Sequence, residues 1–445
     1  MRKQILSRQR PHERGQTMIF VAISIVSLLA LAALAIDIVT LYVARSEIQR
    51  AADAAALAAA KAIADSGVTS LQSTDPQLGP AQTLAQSMAT AAVTAMINPS
   101  STINLVSGAP PTFVTPLPIP VDFARQGNPH VTIALQRTNL PTFFSKIWAR
   151  SSATVTATAT AEVYNPANLP TFTPISPRSV KPWLVANADP TNASTPFIDP
   201  AGNVEIGVIG KRFNLTADCA TGGVGCALAH NPPRATPATL QVDYVPLQVF
   251  ANSKNVCPAC AGATDYEQSI ECADVNTYIT PSCGGGAPNA TWDSSVNPGV
   301  GGVTSLSASG AVCLTRAGSA GLGGQDILTD PGPWPAAPFQ IQAGTGNPQS
   351  GNFVATSSSI VTIPIIDTCA GLNCFSTTTS PVTVIGFMQA FINCVQDGTC
   401  GGTNLGDINI TVLNIAGCSA TSNGANPVVG GAGTSPIPVR LITPP

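Results

Sequence analysis

Apolar residues run almost unbroken from Thr17 to Ile36, and the helical pattern then continues through "DIVTLYVARSEIQRAADAAALAAAKAIADS" with no Gly or Pro before Gly67. Twenty apolar residues suffice to cross the hydrocarbon core of a bilayer, at about 1.5 Å of rise each. The first half of this helix is therefore predicted to span a membrane. A continuous helix to Ser66 would be about 75 Å long, so its second half would stand outside. Asp37 is the one charged residue between Arg14 and Arg45, and its place at the outer edge of the span favours an interfacial position over a buried ion pathway. The alanine block from Ala51 to Ala60 has little bulk of its own but permits close helix approach. It is read either as a solvated stalk or as a surface packed against the protein's own outer domain or a partner helix.

Beyond this helix the periods change. Residues 67–80 are a polar linker, and 81–97 read as a second helix stopped by Asn98-Pro99. Short β-prone runs follow at 102–106, 131–136 and 154–164. In the last, Val155, Ala157, Ala159, Ala161 and Val163 alternate with threonines, the period of a half-buried strand. A short helix is predicted at 141–148, which completes a small α+β unit over 81–164. Five prolines in 165–182 form a linker. From 183 to 445 short apolar runs ("VEIGVIG", "QVDYVPLQVF", "IVTIPII", "INITVLNI", "IPVRLI") are separated by Gly, Pro, Asn and Ser, which predicts an antiparallel β domain, in outline a sandwich. "VTVIGFMQAFINCV" fits either a strand or a strand followed by a helix. The expected class is α+β: a long transmembrane helix extended outside the membrane, a small α+β unit, then a β-rich, disulfide-containing domain.

Composition supports export. Of 445 residues only 10% are charged, mean hydropathy is +0.25, and Gly and Pro number 38 and 39. The net charge of −3 hides an asymmetry. Arg2, Lys3, Arg8, Arg10 and Arg14 against Glu13 make the first 14 residues basic, the flank that stays cytoplasmic, and no other basic stripe is left for nucleic acid. The twelve cysteines begin only at Cys219. An even number confined to the outer part predicts disulfides formed in an oxidising compartment. They group as Cys219/Cys226, Cys257/Cys260, Cys272/Cys283, Cys369/Cys374 and Cys394/Cys400, with Cys313 and Cys418 left over. Neighbour pairing is the simplest assignment, but connectivity is not readable from spacing.

A removable signal peptide would end at a small-x-small site before unrelated sequence. Ala33-Leu34-Ala35 fits loosely, yet the helical pattern runs through it, so a retained anchor is expected. Taken together, Arg14-Gly15-Gln16 before the apolar run, then Asp37, Tyr42, Arg45 and the run from Gln49 through Asp53 to Ala60 resemble the N-terminal segment of TadE/TadG-like proteins of the Flp (tight-adherence) pilus system; Met18 and Phe20 join Asp37, Tyr42, Arg45, Gln49 and Asp53 as the expected anchor and helix contacts. "TNLPTFFSKIW" and "TVTATATAEV", within 138–163, and the distal "SGNFVATSSSIVTIPIID" are similar in general character. The resemblance implies a single-pass protein of the bacterial inner membrane with its bulk in the periplasm, assembling or anchoring a surface pilus with other Tad proteins. A pilin-type leader cut after Gly15 is the alternative, but pilins carry Glu five residues past the cut, where this chain has Phe20.

Catalytic chemistry finds little support. "CPAC" at 257–260 lies between loop-like flanks, without the strand-to-helix setting of a thiol redox centre or the second ligand pair of a zinc site, so it is read as structural. His12, His130 and His230 are the only histidines, and no nucleophile motif accompanies them. Some TadG-like proteins carry a von Willebrand A module with an Asp-x-Ser-x-Ser metal site; Asp293-Ser294-Ser295-Val296 departs from it. Asp218, Asp265, Asp274 and Asp326 show no calcium-loop spacing. The expectation is a non-enzymatic structural component without cofactor or metal. A pseudopilin processed after Gly15 and, more weakly, a tethered envelope thiol enzyme remain the alternatives.

Overall fold

In a computed structural model, the described residues are 13–65, 78–97 and, with interruptions, 110–442. The longer segments outside the description are 1–12, 66–77, 98–109, 143–151, 165–174, 275–289, 317–323, 330–339, 369–380, 396–405, 418–427 and 430–436. The helix predicted at 141–148, the strand predicted at 102–106 and most of both linkers fall there. The described helices are α1 (Glu13–Asp65), α2 (Leu78–Ile97), α3 (Asp265–Glu271) and α4 (Val303–Thr315). The strands that matter below are β1 (Thr112–Phe113), β2 (Val121–Asp122), β3 (His130–Pro141), β4 (Ser152–Val163), β5 (Trp183–Ala186), β6 (Arg212–Ala217), β7 (Ala235–Thr236), β8 (Gln241–Pro246), β9 (Ile360–Ile366), β10 (Val384–Val395), β11 (Ile408–Ala416) and β12 (Val439–Ile442). The class is α+β, as the sequence predicts.

The chain divides into two compact units. The first comprises Met1–Ala54, Ala92–Thr115 and Ile133–Ala159; the second comprises Ala55–Ala91, Pro116–Thr132 and Thr160–Pro445. In the first, β1 pairs antiparallel with Leu135 and Gln136 of β3. Leu41 and Ala44 of α1 pack against Leu140, Ala153 and Val155. The threonine/alanine alternation of β4 appears as far as Ala159, with Thr154, Thr156 and Thr158 exposed and Ala157 and Ala159 buried, whereas Thr160 is buried.

The second unit is built on a ring of strands. β9 pairs with β10, β10 with β11 and β11 with β6, all antiparallel. β6 pairs parallel with β8, β8 antiparallel with β5, and β5 parallel with β9, so six strands close on themselves and β7 adds to β8. The expected antiparallel sandwich is therefore a mixed barrel, whose closure leaves none of the six with a fully unpaired edge. "VTVIGFMQAFINCV" is strand, because β9 and β11 flank β10 on both sides and satisfy its backbone; a helix there would orphan both neighbours. "VEIGVIG" is not a strand: Val204 makes an isolated bridge to Ile198 and Ile206–Val208 form a 3-10 turn. Glu205 Oε1 accepts from the Gly207 N–H at 3.0 Å, and Gly210 has φ 81°, so local bonding and glycine override the apolar run.

Register aligns one face of the ring. Ile363 lies opposite Met388, Ile410 opposite Phe213, Leu215 opposite Val242, and Val185 opposite both Tyr244 and Ile365. These residues share one apolar cluster with Tyr266 and Ile270 of α3 and Val303 and Ala311 of α4. Trp183 Nε1 donates to Ser307 Oγ (3.2 Å), and the Tyr266 hydroxyl lies 3.0 Å from the same oxygen, so these two buried polar groups are satisfied where the helices meet the barrel. The opposite face carries an amide ladder: Asn393 Nδ2 donates to Asn409 Oδ1 (2.9 Å), and Asn409 Nδ2 donates to Asn214 Oδ1 (2.7 Å).

Cys260–Cys313 ties the turn before α3 to the last turn of α4, Cys257–Cys272 links the segment before α3 to its C-cap residue, and Cys219–Cys226 bridges two residues that follow β6. Neighbour pairing holds for Cys219/Cys226 and fails for "CPAC", whose two cysteines bond to different helices' ends. Gly310 permits the helix contact, since a Cβ there would sit 3.0 Å from Ile270 Cβ. Cys394 is also disulfide-bonded. Cys283, Cys369, Cys374, Cys400 and Cys418 lie outside the described residues.

Two ionisable groups report on this packing. Glu271 is buried and accepts from the Gly262 N–H at 2.7 Å. Burial pushes its carboxyl up to about 7, against that hydrogen bond and with the help of Glu267. A folded value above the ordinary one means that its stabilising contribution is full below about pH 4.5 and lost as pH rises through about 7. Glu271→Gln, which keeps an acceptor, should raise stability by roughly 2–3 kcal/mol at about pH 8 and change little at about pH 4. Paired thermal melts at the two pH values check this, and an equal shift at both would refute it.

Glu162 shows the opposite case. Burial raises it, but Arg440 Nε at 2.7 Å, Asn128 Nδ2 at 3.2 Å and His130 Nε2 at 3.5 Å outweigh burial and hold it below its ordinary value. Arg440 also lies 5.1 Å over the Tyr164 ring. This contribution is present above about pH 4.5 and is lost as pH falls through the folded value. Arg440→Ala should cost about 1 kcal/mol at neutral pH. The deficit should shrink in acid, which urea titrations at two pH values would read.

Candidate functional site

The candidate site begins on α1, whose environment changes along its length. Met18, Phe20, Ile25, Leu28, Leu31 and Ile36 are all exposed, on every side of the helix. A helix apolar all round and facing no protein requires an apolar medium. The residues Thr17–Ala64 contain the one described helix long and apolar enough to cross a membrane. Its hydroxyls are turned back onto the helix: Ser24 Oγ donates to the Phe20 carbonyl, Ser27 Oγ to Ile23 and Thr40 Oγ1 to Ile36, each at 2.8 Å. Such bonds hide the polar groups that lipid could not satisfy.

From the end of the apolar run the helix acquires a protein-facing side. Ala33 and Asp37 are buried (Asp37 only 5% exposed) while Ile36 and Ile38 beside it are exposed, so Asp37 points inward rather than into the surrounding medium. Tyr42 (74% exposed), Arg45 and Arg50 remain outward. Within the first unit, Glu47 Oε2 accepts from Arg137 Nη1 at 3.2 Å. Gln49 Nε2 donates both to Asp53 Oδ1 (2.8 Å) and to the Thr158 carbonyl (3.2 Å), which places the Gln49 and Asp53 of the recognised motif in one hydrogen-bonded pair beside β4.

Within the second unit the alanine block is buried: Ala55, Ala56, Ala59, Ala60 and Ala64 are inaccessible, and Ala58 and Ala62 pack with Leu84 and Met88 of α2. Asn414 of β11 donates from Nδ2 to the Ala64 carbonyl at 3.2 Å, satisfying one of the last backbone acceptors of α1. A solvated stalk is thus replaced by a helix built into the protein's own body. Small side chains are required there because the helix is covered on several sides at once.

A second constellation lies on the polar face of the barrel. β6 and β8 are parallel neighbours with Thr216 opposite Asp243, and the Asp218 N–H donates to the Tyr244 carbonyl at 2.8 Å. This brings Asp218 and Asp243 side by side, both buried, and the crossover carrying Asn231-Pro232 lays His230 over them. His230 Nδ1 is 2.8 Å from Asp218 Oδ1 and 3.0 Å from Asp243 Oδ2. The backbone N–H of His230 donates to Asp218 Oδ1 (3.1 Å), and that of Arg234 to Asp243 Oδ2 (3.0 Å). Burial and the neighbouring Asp243 charge push Asp218 up to about 6, despite the His230 bonds. Burial likewise raises Asp243, countered by Arg234 and His230. Sequence reading names Asp218 and His230 separately but misses Asp243, whose only signal is a lone acid within an apolar strand run. Asp293 forms a turn with Ser295, its Oδ1 accepting from the Ser295 N–H and hydroxyl at 2.8 and 2.6 Å. His130 belongs to the Glu162 cluster.

These features define a class: a β-rich, disulfide-bonded α+β body that incorporates the far half of a single long helix, whose near half is apolar all round. Residues 15–62 match the Tad family model, described as Flp pilus-assembly TadE/G-like, so this stretch of α1 is similar to the segment that defines that family. Comparison with curated proteins and with solved structures found no match.

Proposed function

We propose that this chain is a membrane-anchored, non-enzymatic component of Flp/Tad pilus assembly, with its N-terminus in the cytoplasm and its bulk in the periplasm of a bacterial envelope. The observation carrying the proposal is the coincidence of the family match at 15–62 with the stretch of α1 that passes from fully exposed to fully buried. The basic flank before the apolar run sets that orientation, and the disulfides fit an oxidising compartment. One helix carries both the apolar run and the buried alanine block, which supports an anchored component of the assembly. Met18 and Phe20 would face lipid, and Tyr42 and Arg45 would stand at the outer interface, available to partners.

The experiment is deletion of the gene with complementation. Surface Flp filaments should disappear and return with the full chain, but not with residues 41–445 exported behind a removable signal. Normal filaments in the deletion strain would refute the assembly role. The mass of the membrane-extracted protein tests retention separately, since a chain beginning at Gln16 would mean a processed pseudopilin.

A further inference from the structure

We propose that Asp218, His230 and Asp243 form a binding site for one divalent transition-metal ion, of which Zn2+ is the reference. Each residue offers one donor atom, and the three lie within 4.8 Å of one another. The two N···O separations, 2.8 and 3.0 Å, are shorter than the roughly 3.4 Å between adjacent donors of a tetrahedral ion held at about 2.1 Å, so the imidazole would draw back by about 0.5 Å as an ion replaces its Nδ1 hydrogen bonds. Imidazole with two carboxylates suits zinc and its first-row neighbours, whereas calcium prefers an all-oxygen shell.

The setting is that of a built site. Asp243 is fixed within a barrel strand, and Asp218 immediately follows another and precedes the Cys219–Cys226 disulfide. Backbone N–H groups of His230 and Arg234 orient the carboxylates as outer-shell donors. The hydrogen bonds that described residues make to Asp243 fall on Oδ2. The His230 side chain is 35% exposed, which gives an ion access and leaves room for a water ligand. Two buried carboxylates face one imidazole, with Arg234 the further cation acting on Asp243. A divalent ion would neutralise the pair more completely than a shared Nδ1 proton does. On binding, the Nδ1 lone pair goes to the metal and the proton that Nδ1 carried leaves to solvent, with Nε2 keeping or taking up the single N–H of a neutral imidazole. The competing account is a metal-free ion triad that only pins the crossover onto the barrel.

The test is calorimetric titration of Zn2+ into the full chain, purified in detergent with a tag that contains no histidine. One Zn2+ per chain is expected, together with a higher melting temperature. His230→Gln and Asp243→Asn should each weaken binding by at least about tenfold. Failure of the wild type to bind Zn2+, unchanged affinity in both variants, or tighter binding of Ca2+ would overturn the proposal. Should either variant fold poorly by circular dichroism, Co2+ titration of the wild type reads the ligands directly. Visible bands of a nitrogen- and oxygen-ligated Co2+ support the site, and their absence refutes it. None of these readouts depends on piliation, so failure here leaves the assembly proposal standing.

Discussion

Replacing Leu28 and Leu29 together with arginine should release the protein from the membrane fraction. Both residues are exposed near the middle of the apolar half of α1. At a helix centre leucine favours insertion by about 0.5 kcal/mol and arginine opposes it by about 3 kcal/mol. The double change therefore shifts insertion by roughly 7 kcal/mol, more than snorkelling can recover for two adjacent charges mid-span. The body of the protein is untouched, because neither side chain is covered by it. Alkaline extraction of membranes followed by immunoblotting reads the result. The wild type should stay in the pellet and the variant should appear in the wash or be degraded. An arginine pair that remains in the pellet at wild-type level would mean that this half of α1 is held by something other than lipid.

Removing the bridge from the turn before α3 to α4 should be the most destabilising single-bridge change among the described disulfides. Cys260 and Cys313 are 53 residues apart, against 15 for Cys257–Cys272 and seven for Cys219–Cys226. Loop-closure entropy grows with the logarithm of that separation, giving about 4 kcal/mol for the longest. The native state adds to the cost, because α3 and α4 meet at Gly310 and Ile270 and share the apolar cluster with the barrel. Cys260→Ser/Cys313→Ser should therefore lose about 4 kcal/mol, while Cys219→Ser/Cys226→Ser should lose about 2–3 kcal/mol. Urea unfolding of the three proteins orders them. Equal midpoints for the two double variants would show that local strain or denatured-state structure, rather than loop length, sets the stabilisation.

The long helix was legible because its determinants are local: an apolar run, strong helix formers, and no Gly or Pro before Gly67. For its alanines the sequence left two readings open, a solvated stalk or a packed surface, and the structure bears out the second. Alanine is as suited to a solvated helix as to a crowded one, and only the neighbouring strands and α2 decide between them. The runs at 360–366, 384–395 and 408–416 announced strands, but nothing in their period announced that Val185 would pair parallel with Ile365, or Leu215 with Val242, to close a ring. Cysteine pairing was legible where the loop is short, at Cys219 and Cys226, and illegible where helices carry the partners together. Asp243 stayed hidden for a related reason. Its meaning comes from Thr216 lying opposite it, which places Asp218 one step away across a parallel strand pair. Recognition of Gln49 and Asp53, by contrast, came from a short motif whose two residues are bonded to each other.

The antiparallel pairing of β12 with β4, from Val439 opposite Val163 to Ile442 opposite Thr160, has a bearing on how the chain is made. Arg440 and Glu162 are 278 residues apart in sequence. If export runs from the N-terminus, α1 lodges in the bilayer while β12 is still being synthesised, and the outward edge of β4 at 160–163 must wait for its partner. The bound Arg440–Glu162 pair is then a late event, formed after the barrel strands have all emerged. Throughout that interval the waiting edge is a template for any passing strand, a hazard that ends only when the distal segment arrives.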